Sequence, residues 1–318
     1  MMERDETSRI PGYQQPPVFG QVFDAGELPE RFRNMGMPYV VYDHETTTVL
    51  RYAFPEGKIL KITKCGTSEA LFEHAKAECR ILLGLRGTPG VLHVYDYEID
   101  EAGKRVFLLE EDGRSLSEYL AHNLIQVREI PVIGAGILDV LCRIRDAGYY
   151  HLDISPKNCY YDRGKIQIGD FNCSMPVEHV REVGEHLIGT VRYMAPESFC
   201  HYVHDERSEL YAVGILLYEI LNGGIEAFRP AGDAEEARKR RMNGEALPLP
   251  QYAVRYPDVL GALAACVMKA CTADPEERYQ TFEDMRRALA EAGFDLFAQN
   301  VDLSISGGYG DKEITVFD

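Results

Sequence analysis

In the first third of the chain, apolar and polar positions alternate in short runs. Residues 39–42 (Tyr-Val-Val-Tyr), 48–54 (Thr-Val-Leu-Arg-Tyr-Ala-Phe) and 58–62 (Lys-Ile-Leu-Lys-Ile) are rich in β-branched and aromatic side chains, and Pro55-Glu56-Gly57 joins the last two. This pattern predicts a small antiparallel sheet. The period then changes: Leu71, Ala75, Glu78, Leu82 and Leu85 recur at spacings of three and four, so they share one helix face. That face carries a carboxylate. Burying Glu78 is costly unless a cation meets it, so the stripe asks for a Lys or Arg from a neighbouring element. Two further strands are expected at 91–97 and 105–110, linked by the turn-rich residues 100–103.

From about residue 113 the pattern is helical. Ile130, Ile133, Ile137, Leu141 and Ile144 form an amphipathic stripe, with Gly148 as its stop. Residues 211–218 are apolar on every side, which predicts a helix buried in a helical domain. Helices over 259–271 and 282–292 follow, the second opened by Thr281 with Asp284 three residues on. Residues 1–36, with Pro11, Pro16 and Pro17, predict an extended arm laid on the domain or hanging from it. The expected class is α+β: arm 1–36, a small β-rich lobe with one main helix over 37–112, a larger α-helical lobe over 113–296, and a tail 297–318.

Composition narrows the function. A chain of 318 residues, 45% hydrophobic, is long and apolar enough to bury a core. Its 51 acidic against 34 basic side chains argue against nucleic acid or an anionic membrane as main partner, because both need a basic footprint. The longest uncharged apolar stretch, residues 259–268, is about half of what a spanning helix requires, so no membrane insertion is expected. The amino terminus holds no apolar segment of the secretory kind, and the eight cysteines form no C-x-x-C pair. A cytoplasmic protein with reduced thiols is the expectation. Cys200, His201 and His204 lack the further ligands a zinc site needs. The acidic excess is spread along the chain, and the run Arg238-Lys-Arg-Arg241 stands out as a candidate docking patch.

The chemistry is concentrated in Tyr149-Tyr-His-Leu-Asp-Ile-Ser-Pro-Lys-Asn158 and Asp170-Phe-Asn172, then Gly189-Thr-Val-Arg-Tyr-Met-Ala-Pro-Glu197, with Asp274-Pro-Glu-Glu-Arg278 near the end. In this order the motifs resemble the catalytic core of the eukaryotic-like protein kinases, over about residues 39–293, and the segment from Asp153 to Asn158 is similar to the bacterial branch. The resemblance implies a bilobal protein kinase-like fold and an enzyme transferring the γ-phosphoryl group of ATP to Ser or Thr hydroxyls of protein substrates. Phosphoryl transfer needs two oxygens in line and neutralised charge. By resemblance, Asp153 accepts the proton of the hydroxyl, Asn158 and Asp170 hold Mg²⁺, and Lys61 binds the α and β phosphates with Glu78 as its partner. That partner answers the demand made by the helix stripe. Val49 and Ile59 would sandwich the adenine, whose edge meets the main chain of a segment that includes Glu110 and Asp112, with Leu109 gating the inner pocket. His151 and Phe171 are packing residues that stack with Leu82 and Val94. Glu197 is expected to pair with Arg278, and Glu209 to anchor the catalytic loop.

Three departures from the family matter. No glycine occurs between Gly36 and Gly57, so the phosphate-covering segment is residues 42–49, with Tyr42, His44 and Thr47 where glycines belong. One lost donor costs about 3 kcal/mol, roughly a hundredfold in rate, and Asp43 and Glu45 are expected to add repulsion. A weakly active enzyme, or a pseudokinase scaffold using the fold as a binding module, is the alternative. Ser155 replaces a lysine usual in serine/threonine kinases, and Lys157 is expected to reach the γ-phosphate instead. Leu152 replaces the arginine that commonly precedes the catalytic Asp, so activity is not expected to need phosphate on the segment after Asp170.

Overall fold

The computed structural model describes residue 23 and residues 25–52, 57–180, 188–229 and 234–306. The expected end of the second strand at Ala53 and Phe54, the arm's Pro11, Pro16 and Pro17, and the tail residues Ile314, Thr315, Val316 and Phe317 lie outside the described residues. The described residues fall into two compact units, one running to Lys76 and resuming over Val94–Asp112, the other made of Ala77–His93 and the chain from Gly113.

The first unit is an antiparallel sheet of five strands, β1 (Pro38–Asp43), β2 (Thr47–Tyr52), β3 (Lys58–Lys64), β4 (Val94–Asp100) and β5 (Arg105–Glu111), in the order β1-β2-β3-β5-β4. Alternation decides its faces. Along β2, Thr48, Leu50 and Tyr52 are buried, while Thr47, Val49 and Arg51 are half-buried on the opposite side. Leu50, Tyr52, Leu60, Ile62, Phe107 and Leu109 form one apolar face. Onto it pack Leu28 and Phe32, brought there by the four-residue helix α1 (Glu30–Arg33). A helix this short is not stable alone. It is fixed by Tyr52, whose hydroxyl donates to the Phe32 carbonyl at 3.0 Å, and by Arg31, which pairs with Asp96 and Glu98. Part of the expected arm therefore belongs to the core of the sheet.

Helix α2 (Glu69–Gly84) buries Phe72, Ala75, Glu78, Cys79, Ile81 and Leu82. Beyond it, Val91 makes a parallel bridge to Ile168 in place of the expected start of β4.

The second unit is helical: α3 (Leu116–His122), α4 (Glu129–Asp146), α5 (Pro196–His201), α6 (Glu206–Leu221), α7 (Ala234–Met242), α8 (Gln251–Arg255), α9 (Pro257–Ala270) and α10 (Phe282–Ala298), with short strands β6 (Leu124–Gln126), β7 (Tyr149–Tyr150), β8 (Cys159–Asp162), β9 (Lys165–Ile168), β10 (Met175–Pro176) and β11 (Ser304–Ser306). Every residue of α6 from Ser208 to Leu221 is buried, as its all-round apolar pattern predicts. Asp205 caps it, and its carboxylate accepts the Arg207 and Ser208 N–H groups. Thr281 likewise accepts the Asp284 N–H at the start of α10. That helix runs to Ala298, past its expected end, and β11 pairs with β6 while Leu303 and Ile305 are buried. The tail up to Ser306 thus folds with this unit.

The basic run on α7 does not make a free patch. Arg241 is buried and donates to the Val191 carbonyl, Arg240 pairs with Glu245 and reaches the Phe228 carbonyl, Lys239 pairs with Glu235, and Arg238 lies over the Phe199 ring. One helical period sends four consecutive cations to four different sides.

Candidate active site

In the second unit, the loop after β7 carries the candidate residues Asp153, Lys157 and Asn158, and its shape is set from below. Glu209, on the first turns of α6, is fully buried, and one of its oxygens accepts the His151 and Leu152 N–H groups at 2.7 and 2.8 Å. Burial pushes its carboxyl up to about 7, against the pull of those two donors. The sign follows from the raised value. Between the ordinary 4.5 and about 7 the native carboxyl keeps a proton that the unfolded chain has released, so stability from this group is complete below that window and lost as pH rises through it. Glu209→Gln keeps an acceptor oxygen and removes that loss. The wild-type melting temperature should fall more than that of the variant between about pH 5 and pH 8, by the equivalent of up to about 3 kcal/mol. Parallel pH profiles would contradict the assignment.

His151 is buried, with its ring 4.8 Å from that of Phe171, edge to face. Its Nδ1 accepts the Asp153 N–H, so the proton of a neutral ring sits on Nε2 and donates to the Gly169 carbonyl at 3.1 Å. Burial keeps the imidazole neutral, outweighing the nearby carboxylates of Asp153 and Asp170. His151 is therefore a spacer that joins the loop to the segment leading into Asp170, as expected of a packing residue.

Asp153 and Asn158 are brought together. The Asn158 amide donates to the Asp153 main-chain oxygen at 2.8 Å and to its carboxylate at 2.9 Å, while the other carboxylate oxygen accepts the Thr190 N–H at 2.7 Å. With its N–H groups so placed, Asn158 has its amide oxygen left for other partners. Asp170 sits in the left-handed region at φ 60°, ahead of a 3-10 turn at Phe171–Cys173, and the buried amide oxygen of Asn172 has no hydrogen-bond partner. Oxygen donors of this kind fit a hard divalent cation, and Mg²⁺ characteristically takes one or two carboxylates plus phosphate and water. Among the described residues no cluster of three or more His, Cys, Asp or Glu forms a metal cage. Lys157, on the same loop, is exposed.

The segment facing the loop is held tightly. Gly189 has φ +98°, and a Cβ there would run into the Leu152 carbonyl oxygen. Gly189→Ala should cost about 1–3 kcal/mol from backbone strain alone and drag the Thr190 N–H off Asp153. Unchanged melting and activity in that variant would contradict this. At the end of the segment, Glu197 and Arg278 form the expected buried pair, two bonds of 2.7 Å each. A second buried acid was not anticipated. Glu219 accepts both the Arg192 guanidinium (2.8 and 3.0 Å) and the Tyr193 hydroxyl (2.9 Å), tying the middle of the segment to α6. Its signal was present: a carboxylate in an otherwise apolar helix makes the same demand as Glu78.

In the first unit, register places Val49 opposite Lys61 and Lys61 opposite Leu108, with Ile59 opposite Glu110. Val49, Ile59, Lys61, Leu108 and Glu110 therefore share one face. Leu109, expected to gate the pocket, lies on the other face in the core with Leu28 and Phe32. The residue on the Lys61 face is Leu108 instead, because side chains alternate and residues 106–109 are all apolar and buried, so only the pairing of the strands decides between them. Asp43 is also turned away from Lys61. It pairs with Thr48 across the hairpin, accepts the Thr48 hydroxyl and bonds Lys64 at 3.1 Å, contacts that hold its carboxyl below the usual range. It adds no repulsion on the Lys61 face. Asp112 gives its N–H to the Gly57 carbonyl and its carboxylate to Arg51. Glu78 is buried on α2, which belongs in part to each unit.

Among the described residues no helix is long and apolar enough to cross a membrane. The family model for the protein kinase domain matches residues 45–287. Similar proteins include serine/threonine-protein kinase PrkC of Bacillus subtilis, 26% identical over 64% of this chain and 31% of its own length. Pkn1 of Myxococcus xanthus, another serine/threonine-protein kinase, is 27% identical over 70% of this chain and 32% of its own length. A probable serine/threonine-protein kinase of Streptomyces coelicolor, SCO3848, is 32% identical over 62% and 30%. The chain spans about a third of the length of these relatives. With the motifs in order, the 151–158 loop held by Glu209 of α6 and the family match over most of its length, this chain belongs to the protein kinase domain family.

Proposed function

We propose that this chain is a protein kinase that transfers the γ-phosphoryl group of ATP to Ser or Thr hydroxyls of proteins. The observation that carries the reading is the Asp153 carboxylate, fixed from two sides by Asn158 and the Thr190 N–H on a loop that α6 holds by a buried acid. A carboxylate so positioned can orient a hydroxyl and take its proton. Asn158, through its amide oxygen, and Asp170 are the residues that would hold Mg²⁺, which would neutralise charge developing on the phosphoryl oxygens. Lys61 is the residue that would meet the α and β phosphates, and Lys157 the one that would reach the γ-phosphate. Val49 and Ile59 flank the base. Glu110 and Asp112 contribute main-chain groups to its edge, Asp112 through its carbonyl because its N–H is engaged by Gly57.

Transfer of labelled phosphate from Mg-ATP to Ser/Thr-containing and Tyr-containing peptide pools tests the reading, with Lys61→Met as control. Label on phosphoserine or phosphothreonine that disappears with Lys61→Met is the expected outcome. Binding of Mg-ATP without transfer would instead make the chain a scaffold.

Activity should not depend on phosphate in the segment between Asp170 and Glu197. Its Ser and Thr residues are Ser174, buried and donating to the His151 carbonyl, and Thr190, beside Asp153. Phosphatase treatment is expected to leave the rate within about twofold, since no arginine precedes Asp153 to receive a phosphate. A tenfold fall would disprove it.

A further inference from the structure

The sheet's phosphate-covering hairpin has no glycine, and its main chain is already engaged. The His44 N–H donates to the Thr47 carbonyl at 2.8 Å and the Thr47 N–H to the His44 carbonyl at 3.3 Å, which closes a tight turn with Glu45 and Thr46 at its tip. Two of the amides that a glycine loop would offer to a phosphate are thus directed at each other. The side chains tell a different story. Tyr42 pairs with Val49, and Val49 with Lys61, so Tyr42 stands on the Lys61 face; His44, two residues on, stands there too, in line with Thr47 and Thr63. Both rings are exposed, and they stack with centroids 6.5 Å apart and planes 15° apart. Tyr42 and Lys61 are separated by two strand spacings, about 10 Å between backbones. The imidazole of His44, beside Tyr42, and the ammonium of Lys61 itself can converge from opposite sides on one polyphosphate. Of the two acids of the hairpin, Asp43 faces the other way in its contacts with Thr48 and Lys64, and Glu45 is exposed at the tip of the turn.

We propose that His44, held by its stack on Tyr42, is a phosphate-binding residue of this chain, its ring N–H replacing the main-chain donors of a glycine loop. The inference rests on the reading of the chain as an ATP-dependent kinase and names how that site takes the polyphosphate.

Calorimetric titration of the full chain with ATP, ADP and adenosine at fixed salt tests it. His44→Ala should weaken ATP and ADP about tenfold, the size expected for one hydrogen bond to a charged group, and leave adenosine unchanged. His44→Gln, which keeps an N–H donor, should retain most of the affinity. His44→Gly should lose as much as His44→Ala, since restoring glycine does not release amides bonded across the turn. ATP binding equal or tighter in His44→Gly, or an equal loss for adenosine and ATP, would overturn the proposal while wild-type binding and transfer keep the kinase reading intact. A wild-type chain that binds no ATP would overturn both.

Discussion

Asp153→Asn is expected to lower phosphate transfer by about a thousandfold, within the range measured for loss of a positioned general base, while the protein stays folded. The geometry explains both halves. Asp153 presents two acceptor oxygens, one to the Thr190 N–H and one to the Asn158 amide. An asparagine offers one acceptor and one NH₂, so one of those bonds is replaced by two donors facing each other. The stability loss is of the order of a single hydrogen bond, about 1 kcal/mol, or a few degrees of melting temperature. The rate loss is far larger, because the amide cannot take a proton. Mg-ATP binding measured alongside should be nearly unchanged. A rate drop below tenfold would remove Asp153 from the role of base.

The largest loss of stability is expected from Arg278→Ala. Its side chain is fully buried and makes two bonds to Glu197, further bonds to the carbonyls of Thr272, Ala273 and Arg207, and a stack over the Tyr211 ring at 4.7 Å. Truncation leaves a buried carboxylate without its cation and three carbonyls without their donor. Breaking such a pair costs about 3–5 kcal/mol, which lowers the melting temperature by roughly 10 °C for a domain of this size. Arg278→Lys should recover little, because an ammonium cannot reproduce the two-pronged geometry. Removing both charges together, Arg278→Met with Glu197→Leu, should be milder than either truncation alone. If Arg278→Ala melted within 3 °C of the wild type, the pair would not be what secures the 188–197 segment.

Much of this was legible in the sequence, and the residues say why. Asp153 to Asn158, Asp170 and the 189–197 segment are local spacings, and local spacing survives translation into structure. Glu209 and the Glu197–Arg278 pair were expected too. What was misplaced depended on register. Leu108 and Leu109 are adjacent, both apolar and both buried, so nothing in composition says which one shares a face with Lys61; only the pairing of Lys61 with Leu108 decides. Asp43 had the same ambiguity, and the hairpin turned it toward Thr48 and Lys64. The basic run on α7 was read as a patch because charge is visible in one dimension, whereas the helical period that scatters it is visible in three. Helix α1 was missed because four residues after a proline carry no period at all.

The seating of Leu28 and Phe32 on the sheet sets a lower limit on what can fold by itself. The family match begins at residue 45. A fragment cut there would lack β1 and α1 together, leaving β2 as a bare edge with unpaired main-chain groups, and beside it Leu50, Tyr52, Leu60 and Ile62 open to water. An unpaired edge flanking an uncovered apolar face is a template for association between copies. The smallest soluble piece of this protein therefore starts upstream of its recognisable catalytic domain, at or before the residues that deliver Leu28.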